Sequence, residues 1–129
     1  MLELAIAGEP RYEIDARELA PGASSYTVDT LRALQSDFPG SELVLLIGSD
    51  QYAKLGSWQR PDEVRRLARI AVFARPGTEM GKPTASVVAI PPMKISASEI
   101  RARAARGEDL AGMVPPAVAN YIARHRLYR

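Results

Sequence analysis

The sequence has 129 residues, of which 47% are hydrophobic and 25% are charged, and this composition predicts one globular domain over residues 1–129. It excludes a disordered tail and a collagen-like fibre. With no cysteine and a single histidine, it also excludes a disulfide scaffold, a thiol nucleophile and a two-histidine metal motif. The net charge of +2 is too small to indicate a nucleic-acid partner.

The apolar segments are too short to cross a membrane. The longest unbroken apolar run covers residues 43–47, whereas a membrane helix needs about 20 residues. The first ten residues contain Glu3 and no basic leader, so we expect no secretory signal. These features predict a cytoplasmic protein with no membrane partner.

Hydrophobic periodicity and breaker residues predict alternating helices and strands. In chain order, we predict a helix over 1–7, a strand over 11–15, helices over 27–38 and 49–55 with a strand over 42–47 between them, a helix beginning at Pro61, strands over 70–74 and 86–90, and helices over 98–106 and 116–125. The run ELVLLI at 42–47 is typical of a strand covered on both faces. The alternation predicts an α/β fold with a mostly parallel sheet.

The polar turn after the 42–47 strand has two interpretations. Gly48 lets a ligand approach the backbone closely, and Asp50 is suited to accept hydrogen bonds from a ribose. Alternatively, Ser49 or Asp50 only caps the next helix. The residues alone leave both open.

The segment ISASEIR at 95–101 also has two interpretations. Ser96 with Glu99 is a capping-box pattern, and the spacing alone favours this purely structural role. In the functional interpretation, Ser96, Ser98 and Arg101 surround a helix N-terminus and form an anion site for phosphate.

Aromatic and hydroxyl side chains occur in two further polar segments. Trp58, the only tryptophan, lies in the loop GSWQRP and either packs half-exposed or stacks on a planar heterocycle. The segment containing Thr27 begins a helix with hydroxyls that could face a ligand. His125 is expected to complement a helix dipole near the C-terminus.

Taken in order, several segments resemble bacterial nicotinate-nucleotide adenylyltransferases. They are SYTVDTL at 25–31, LLIGSDQ at 45–51, the Trp58 loop ahead of PDEVRRLA, IAVFARPG at 70–77, ISASEIR at 95–101 and VPPAVANYIARHRLY at 114–128. The resemblance implies a Rossmann-like nucleotidyltransferase fold. It also implies an enzyme of NAD biosynthesis that uses ATP with Mg²⁺ and transfers AMP to nicotinate mononucleotide, giving deamido-NAD and pyrophosphate.

The resemblance also assigns residues to each substrate. Thr27 and Trp58 are expected to hold the nicotinate ring, with Asp50 in the same mononucleotide site. ATP and its phosphates are expected to lie against a second set of residues: Gly48, Ser96, Ser98 and Arg101.

The family's H-x-G-H motif is missing from this sequence, because its one histidine is His125. The resemblance therefore implies no catalytic residue in this chain, and we expect an N-terminally truncated fold that is poorly stable and inactive alone. An open sheet edge would then allow self-association. One alternative is a non-catalytic nucleotide-binding remnant. Another is a transferase with a different acceptor, against which Thr27 and Trp58 argue.

Overall fold

The structure is a computed structural model that describes residues 1–74, 86–88 and 95–129. Its helices are α1 (Leu2–Ile6), α2 (Thr27–Asp37), α3 (Ser49–Lys54), α4 (Pro61–Leu67), α5 (Ala97–Arg106) and α6 (Pro116–Arg124), and its strands are β1 (Val44–Gly48), β2 (Arg69–Phe73) and β3 (Ser86–Val88). Short 3₁₀ turns cover Arg17–Leu19 and Leu55–Ser57. The end of the strand predicted over 86–90 lies outside the described residues. The helices and strands otherwise follow the predicted order, except at residues 11–15.

The three described strands form one parallel sheet in the order β1-β2-β3. Val44 pairs with Arg69, Gly48 pairs with Phe73, and Phe73 also pairs with Val88. The carboxyl ends of all three strands therefore lie in one row, at the edge where α/β proteins collect ligands. The predicted parallel sheet is confirmed.

Strand β1 is covered on one face only, so the prediction of coverage on both faces was wrong there. Leu45 and Ile47 pack against the core, whereas Val44 is 49% exposed and Leu46 is 59% exposed. Alternate side chains of a strand point to opposite faces. Strand β1 is also one of the two edge strands of the described sheet, and the central strand β2 is the buried one.

Residues 11–15 do not form the predicted strand. The N–H of Tyr12 donates to the carbonyl of Glu9 at 3.1 Å, which makes a turn. Tyr12 and Ile14 are both exposed, and no described strand pairs with them. Alternating apolar residues indicate a strand only where a partner strand and a core are available.

Contacts divide the chain into two compact units, which we call the helical unit (Met1–Asp15 with Met93–Arg129) and the sheet unit (Ala16–Pro92). The sheet unit has a core from α2, α4, β2 and the turn at Leu55, and its buried members are Val28, Leu31, Leu55, Val64, Ala68, Ile70 and Val72. In the helical unit α1 packs on α6, and the buried cluster is Ala104, Leu110, Val118 and Ile122. A single domain over the whole chain stays a prediction.

The loop after α5 carries a compact charge cluster. The Glu108 carboxylate accepts a hydrogen bond from Arg106 Nη2 at 3.1 Å, and Arg103 Nε lies 3.2 Å from its Oε2. The hydrogen bond from Arg106, together with the charges of both arginines, lowers the pKa of Glu108 below its ordinary value.

Because the pKa of Glu108 is lowered in the folded state, the stabilisation that the cluster provides depends on pH. Its stabilisation is present above the unfolded-state pKa of glutamate and is lost as the pH falls through the lower folded value. In an NMR titration we expect the Glu108 carboxyl to titrate below its ordinary pKa, and Arg106→Gln to move that midpoint upward. An identical midpoint in both proteins would contradict this account.

Candidate functional site

Thr27 and Trp58 line the same pocket, although they lie 31 positions apart in the sequence. Both belong to the sheet unit. The pocket measures about 280 Å³, and its described lining residues are Ser25, Tyr26, Thr27, Ser57, Trp58 and Gln59. One wall is therefore residues 25–27 and the other is residues 57–59. The lining combines serine, threonine and glutamine side chains with two aromatic residues, Tyr26 and Trp58.

Each wall of the pocket is set by the start or end of a helical segment. Tyr26 is extended and precedes the first residue of α2, Thr27. On the opposite wall, the N–H of Trp58 donates to the carbonyl of Leu55 at 3.1 Å and ends the 3₁₀ turn. Trp58 is half-buried because part of its ring packs against the core of the sheet unit.

The turn after β1 holds the next two predicted ligand residues. Gly48 is the last residue of β1 and precedes α3 in an extended conformation. Asp50 lies in the first turn of α3, half-buried, with Gln51 Nε2 3.4 Å from its Oδ2. Neither residue belongs to the described lining of the pocket at Thr27 and Trp58. Their roles toward a nucleotide stay predictions.

The start of α5 shows the structural role of Ser96 directly. Ser96 Oγ accepts a hydrogen bond from the N–H of Glu99 at 3.1 Å, so Ser96 is the N-cap that the capping-box pattern predicts. Two residues on, Arg101 Nη2 donates to Ser98 Oγ at 3.3 Å, and both side chains are exposed. The structure thus brings Ser98 and Arg101 together at a helix N-terminus. Phosphate binding by these three residues stays a prediction.

The predicted site residues divide between the two units. Thr27, Gly48, Asp50 and Trp58 belong to the sheet unit, whereas Ser96, Ser98 and Arg101 belong to the helical unit. His125, the only histidine, ends α6 with its ring centroid 4.2 Å from that of Tyr121. Among the described residues, no group of three or more His, Cys, Asp or Glu is arranged to hold a metal ion. Likewise, no helix in the described ranges is both long and apolar enough to span a membrane.

Comparison with known proteins decides the family. A family model described as cytidylyltransferase-like matches residues 1–103. The probable nicotinate-nucleotide adenylyltransferase of Bordetella petrii is 42% identical over all of this chain, which spans 71% of that relative. The chain belongs to the nicotinate-nucleotide adenylyltransferase family. The protein of the same name from Chromobacterium violaceum is 39% identical, again over the whole chain and 72% of the relative.

A solved structure confirms the fold of this family member. The nicotinic acid mononucleotide adenylyltransferase of Plasmodium falciparum, complexed with APC, matches with a TM-score of 0.73. The match covers 91% of this chain and 64% of that chain at 19% identity, which is a likeness of fold. The predicted Rossmann-like nucleotidyltransferase fold is confirmed. The predicted enzyme class, a transferase of NAD biosynthesis, is confirmed by the family.

A set of charged residues on α2 and α4 was missed by the sequence analysis. Asp29 and Arg32 lie three positions apart on α2, a spacing that predicts an ion pair on one helix. Arg32 also pairs with Glu63 on α4, 31 positions away in sequence. Local spacing contains no signal for such a pair, because only the packing of α2 against α4 brings the two side chains together.

Proposed function

We propose that this chain provides the acceptor pocket and the phosphate-binding helix of a nicotinate-nucleotide adenylyltransferase. The reaction transfers AMP from ATP to nicotinate mononucleotide. One observation carries the proposal: Thr27 and Trp58, which the family resemblance assigns to the nicotinate ring, line one pocket. Its volume of about 280 Å³ is near the lower end of small-molecule sites, about 300–1,000 Å³, and suits a single ring.

The lining of the pocket matches a pyridine ring that carries a carboxylate. The indole of Trp58 offers a flat face for offset stacking on the ring. The hydroxyls of Ser25 and Thr27 are donors, and a carboxylate accepts hydrogen bonds without donating any, whereas the Ser57 hydroxyl donates to the carbonyl of Lys54 at 2.7 Å. Hydroxyl donors beside a flat aromatic face therefore suit a nicotinate carboxylate. Asp50 is proposed to bind the ribose of the same mononucleotide.

Adenylyl transfer depends on positioning and on stabilising phosphate charge. An oxygen of the acceptor phosphate attacks the α-phosphorus of ATP, and the bond from that phosphorus to the β-bridging oxygen breaks. Pyrophosphate leaves with the electron pair. Arg101, fixed beside Ser98 at the start of α5, is proposed to bind the polyphosphate through its planar guanidinium. Ser96 is proposed to keep that helix N-terminus in place for the anion.

Two further parts of the proposal concern ATP itself. Gly48 ends β1 without a side chain, and we expect the nucleotide to approach its backbone there. Mg²⁺ is expected to accompany ATP as a complex with its phosphate oxygens, where it neutralises negative charge. Self-association and a cytoplasmic location stay predictions. The first is supported by the exposed Val44 and Leu46 on edge strand β1.

The sequence analysis leaves a second function open. The family motif H-x-G-H is missing from these 129 residues, whose only histidine, His125, ends α6. A chain without that motif could bind both substrates and still not transfer AMP. This alternative is a nucleotide-binding protein with the same two sites.

A single assay separates the two functions. The assay follows release of pyrophosphate when the chain is mixed with ATP, Mg²⁺ and nicotinate mononucleotide, with nicotinamide mononucleotide as the comparison acceptor. Release of pyrophosphate would establish the transferase activity in this chain. Calorimetry with each substrate alone is the matched measurement. Binding of both substrates without pyrophosphate release would establish the alternative, and binding of neither substrate would refute both functions.

A further inference from the structure

We propose that Glu63 is a positioning residue that holds the two walls of the acceptor pocket at a fixed separation; this inference rests on the proposed function. Glu63 lies in the first turn of α4, four positions after Gln59, the last residue of the wall at residues 57–59. Its carboxylate lies between the guanidinium groups of Arg32 and Arg60. Arg32 belongs to α2, the helix whose first residue, Thr27, lines the opposite wall.

Both carboxylate oxygens of Glu63 contact an arginine. Oε1 accepts from Arg32 Nε at 2.8 Å and lies 2.7 Å from Arg32 Nη2, so this guanidinium presents two donors to one oxygen. Oε2 lies 3.9 Å from Arg60 Nη1. Arg60 follows Gln59, the last residue of its wall. Glu63 therefore connects the end of one wall to the helix that carries the other.

Contacts continue from Arg32 to the wall at residues 25–27. Arg32 Nη1 lies 3.3 Å from Asp29 Oδ1, and Asp29 Oδ2 accepts a hydrogen bond from Ser24 Oγ at 2.7 Å. The Ser24 hydroxyl oxygen also accepts from the N–H of Tyr26 at 3.1 Å. One continuous chain of polar contacts thus joins the backbone of Tyr26 to Glu63.

The backbone at Arg60 gives independent support. Arg60 has φ 50° and ψ 61°, the left-handed region that side-chain-bearing residues rarely adopt. Such a conformation persists only where neighbouring contacts hold it. The carbonyl of Arg60 accepts from the N–H groups of Glu63 and Val64 at 3.0 and 3.1 Å, while its guanidinium faces the Glu63 carboxylate. The end of the Trp58 wall is therefore held in a strained turn by α4.

The bridge acts on the pocket more than on the stability of the fold. The side chain of Arg32 is 43% exposed and that of Glu63 is 22% exposed, and ion pairs in such positions add little to the free energy of unfolding. The same two helices are also joined by buried Val28 and Val64. Removing the Glu63 carboxylate should leave this packing intact. The separation between the two pocket walls would then no longer be fixed.

The test uses Glu63→Gln, which keeps the shape of the side chain and removes its charge. We expect its affinity for nicotinate mononucleotide to fall about tenfold, with ATP affinity and the unfolding midpoint unchanged. Trp58 is the only tryptophan, so its fluorescence reports on the pocket wall alone. In the free variant, we expect a higher acrylamide quenching constant for Trp58. The control is Asp62→Asn, because Asp62 is 86% exposed and, within the described ranges, pairs only along α4, with Arg65 at 3.1 Å.

The outcomes separate this inference from the proposed function. Unchanged acceptor affinity or an unchanged quenching constant in Glu63→Gln overturns the inference, as does an equal effect in Asp62→Asn. If the wild-type chain fails to bind the mononucleotide, the proposed function fails; the positioning role then stands or falls on the quenching constant alone. The double variant Arg32→Gln with Glu63→Gln should weaken acceptor binding no more than either single variant does. Each single change already removes the same ion-pair bridge.

Discussion

Replacing Leu55 with alanine is expected to lower the free energy of unfolding of the sheet unit by about 2–5 kcal/mol. Leu55 is 1% exposed and belongs to the same buried cluster as Val28 and Val64. Its removal loses the free energy of burying the side chain and leaves a cavity that the neighbours fill only in part. The whole free energy of unfolding of such a domain is about 5–15 kcal/mol, so this loss is a large fraction of it.

Urea unfolding followed through Trp58 measures this effect, because Trp58 packs against the same core. The matched control is Leu19→Ala, a change of the same residue type in the same unit at a position that is 84% exposed. We expect the control to stay within about 0.5 kcal/mol of the wild type. Equal losses in the two variants would refute the assignment of Leu55 to the core.

Replacing Trp58 with alanine is expected to weaken binding of nicotinate mononucleotide about fivefold to 150-fold. This range corresponds to about 1–3 kcal/mol for each ring stacked on an aromatic side chain. Trp58 and Tyr26 are the aromatic residues of the described pocket lining, and the serine, threonine and glutamine side chains have no stacking face. Calorimetric titration of each protein with the mononucleotide measures the change.

Two controls make the Trp58 result specific. Trp58→Phe keeps a flat ring and should retain most of the affinity that Trp58→Ala loses. Affinity for ATP should be the same in all three proteins, since its proposed phosphate contacts are made from α5. If Trp58→Ala bound the mononucleotide as tightly as the wild type does, the ring would not lie on the indole and the acceptor assignment would be wrong.

Elements with a strong local signal were predicted from the sequence. The apolar run before Gly48 predicted β1, Pro61 predicted the start of α4, and Ser96 with Glu99 predicted the cap of α5. In each case the deciding interaction lies within a few residues of the signal. A short stretch of sequence therefore contains the physical information needed to place the element.

The errors arose where the outcome depended on distant residues. Tyr12 and Ile14 alternate as in a strand, but no described strand pairs with them. Likewise, the apolar character of β1 predicted coverage on both faces, whereas Leu46 remains exposed. The pattern of apolar residues shows which side chains of a segment can be buried. Whether a neighbouring strand or helix is there to cover them depends on the rest of the fold.

The candidate site divides in the same way. Thr27 and Trp58 were paired through the family resemblance, and the structure places both in one pocket. The contact between Arg32 and Glu63 could not be predicted, because it depends on how α2 packs against α4. The ligands assigned to Gly48, Asp50 and Ser98 stay predictions, since a ligand is recognised by groups from several segments at once.

The parallel pairing of β1 with β2 also constrains the order of folding. Val44 pairs with Arg69, and all of α3 and α4 lies between these strands in sequence. A tight hairpin cannot nucleate such a pair, so the entropy of closing this long loop is lost before the sheet contacts form. The helices must therefore dock while the strands come together, and the sheet unit should fold more slowly than a helical bundle of the same length.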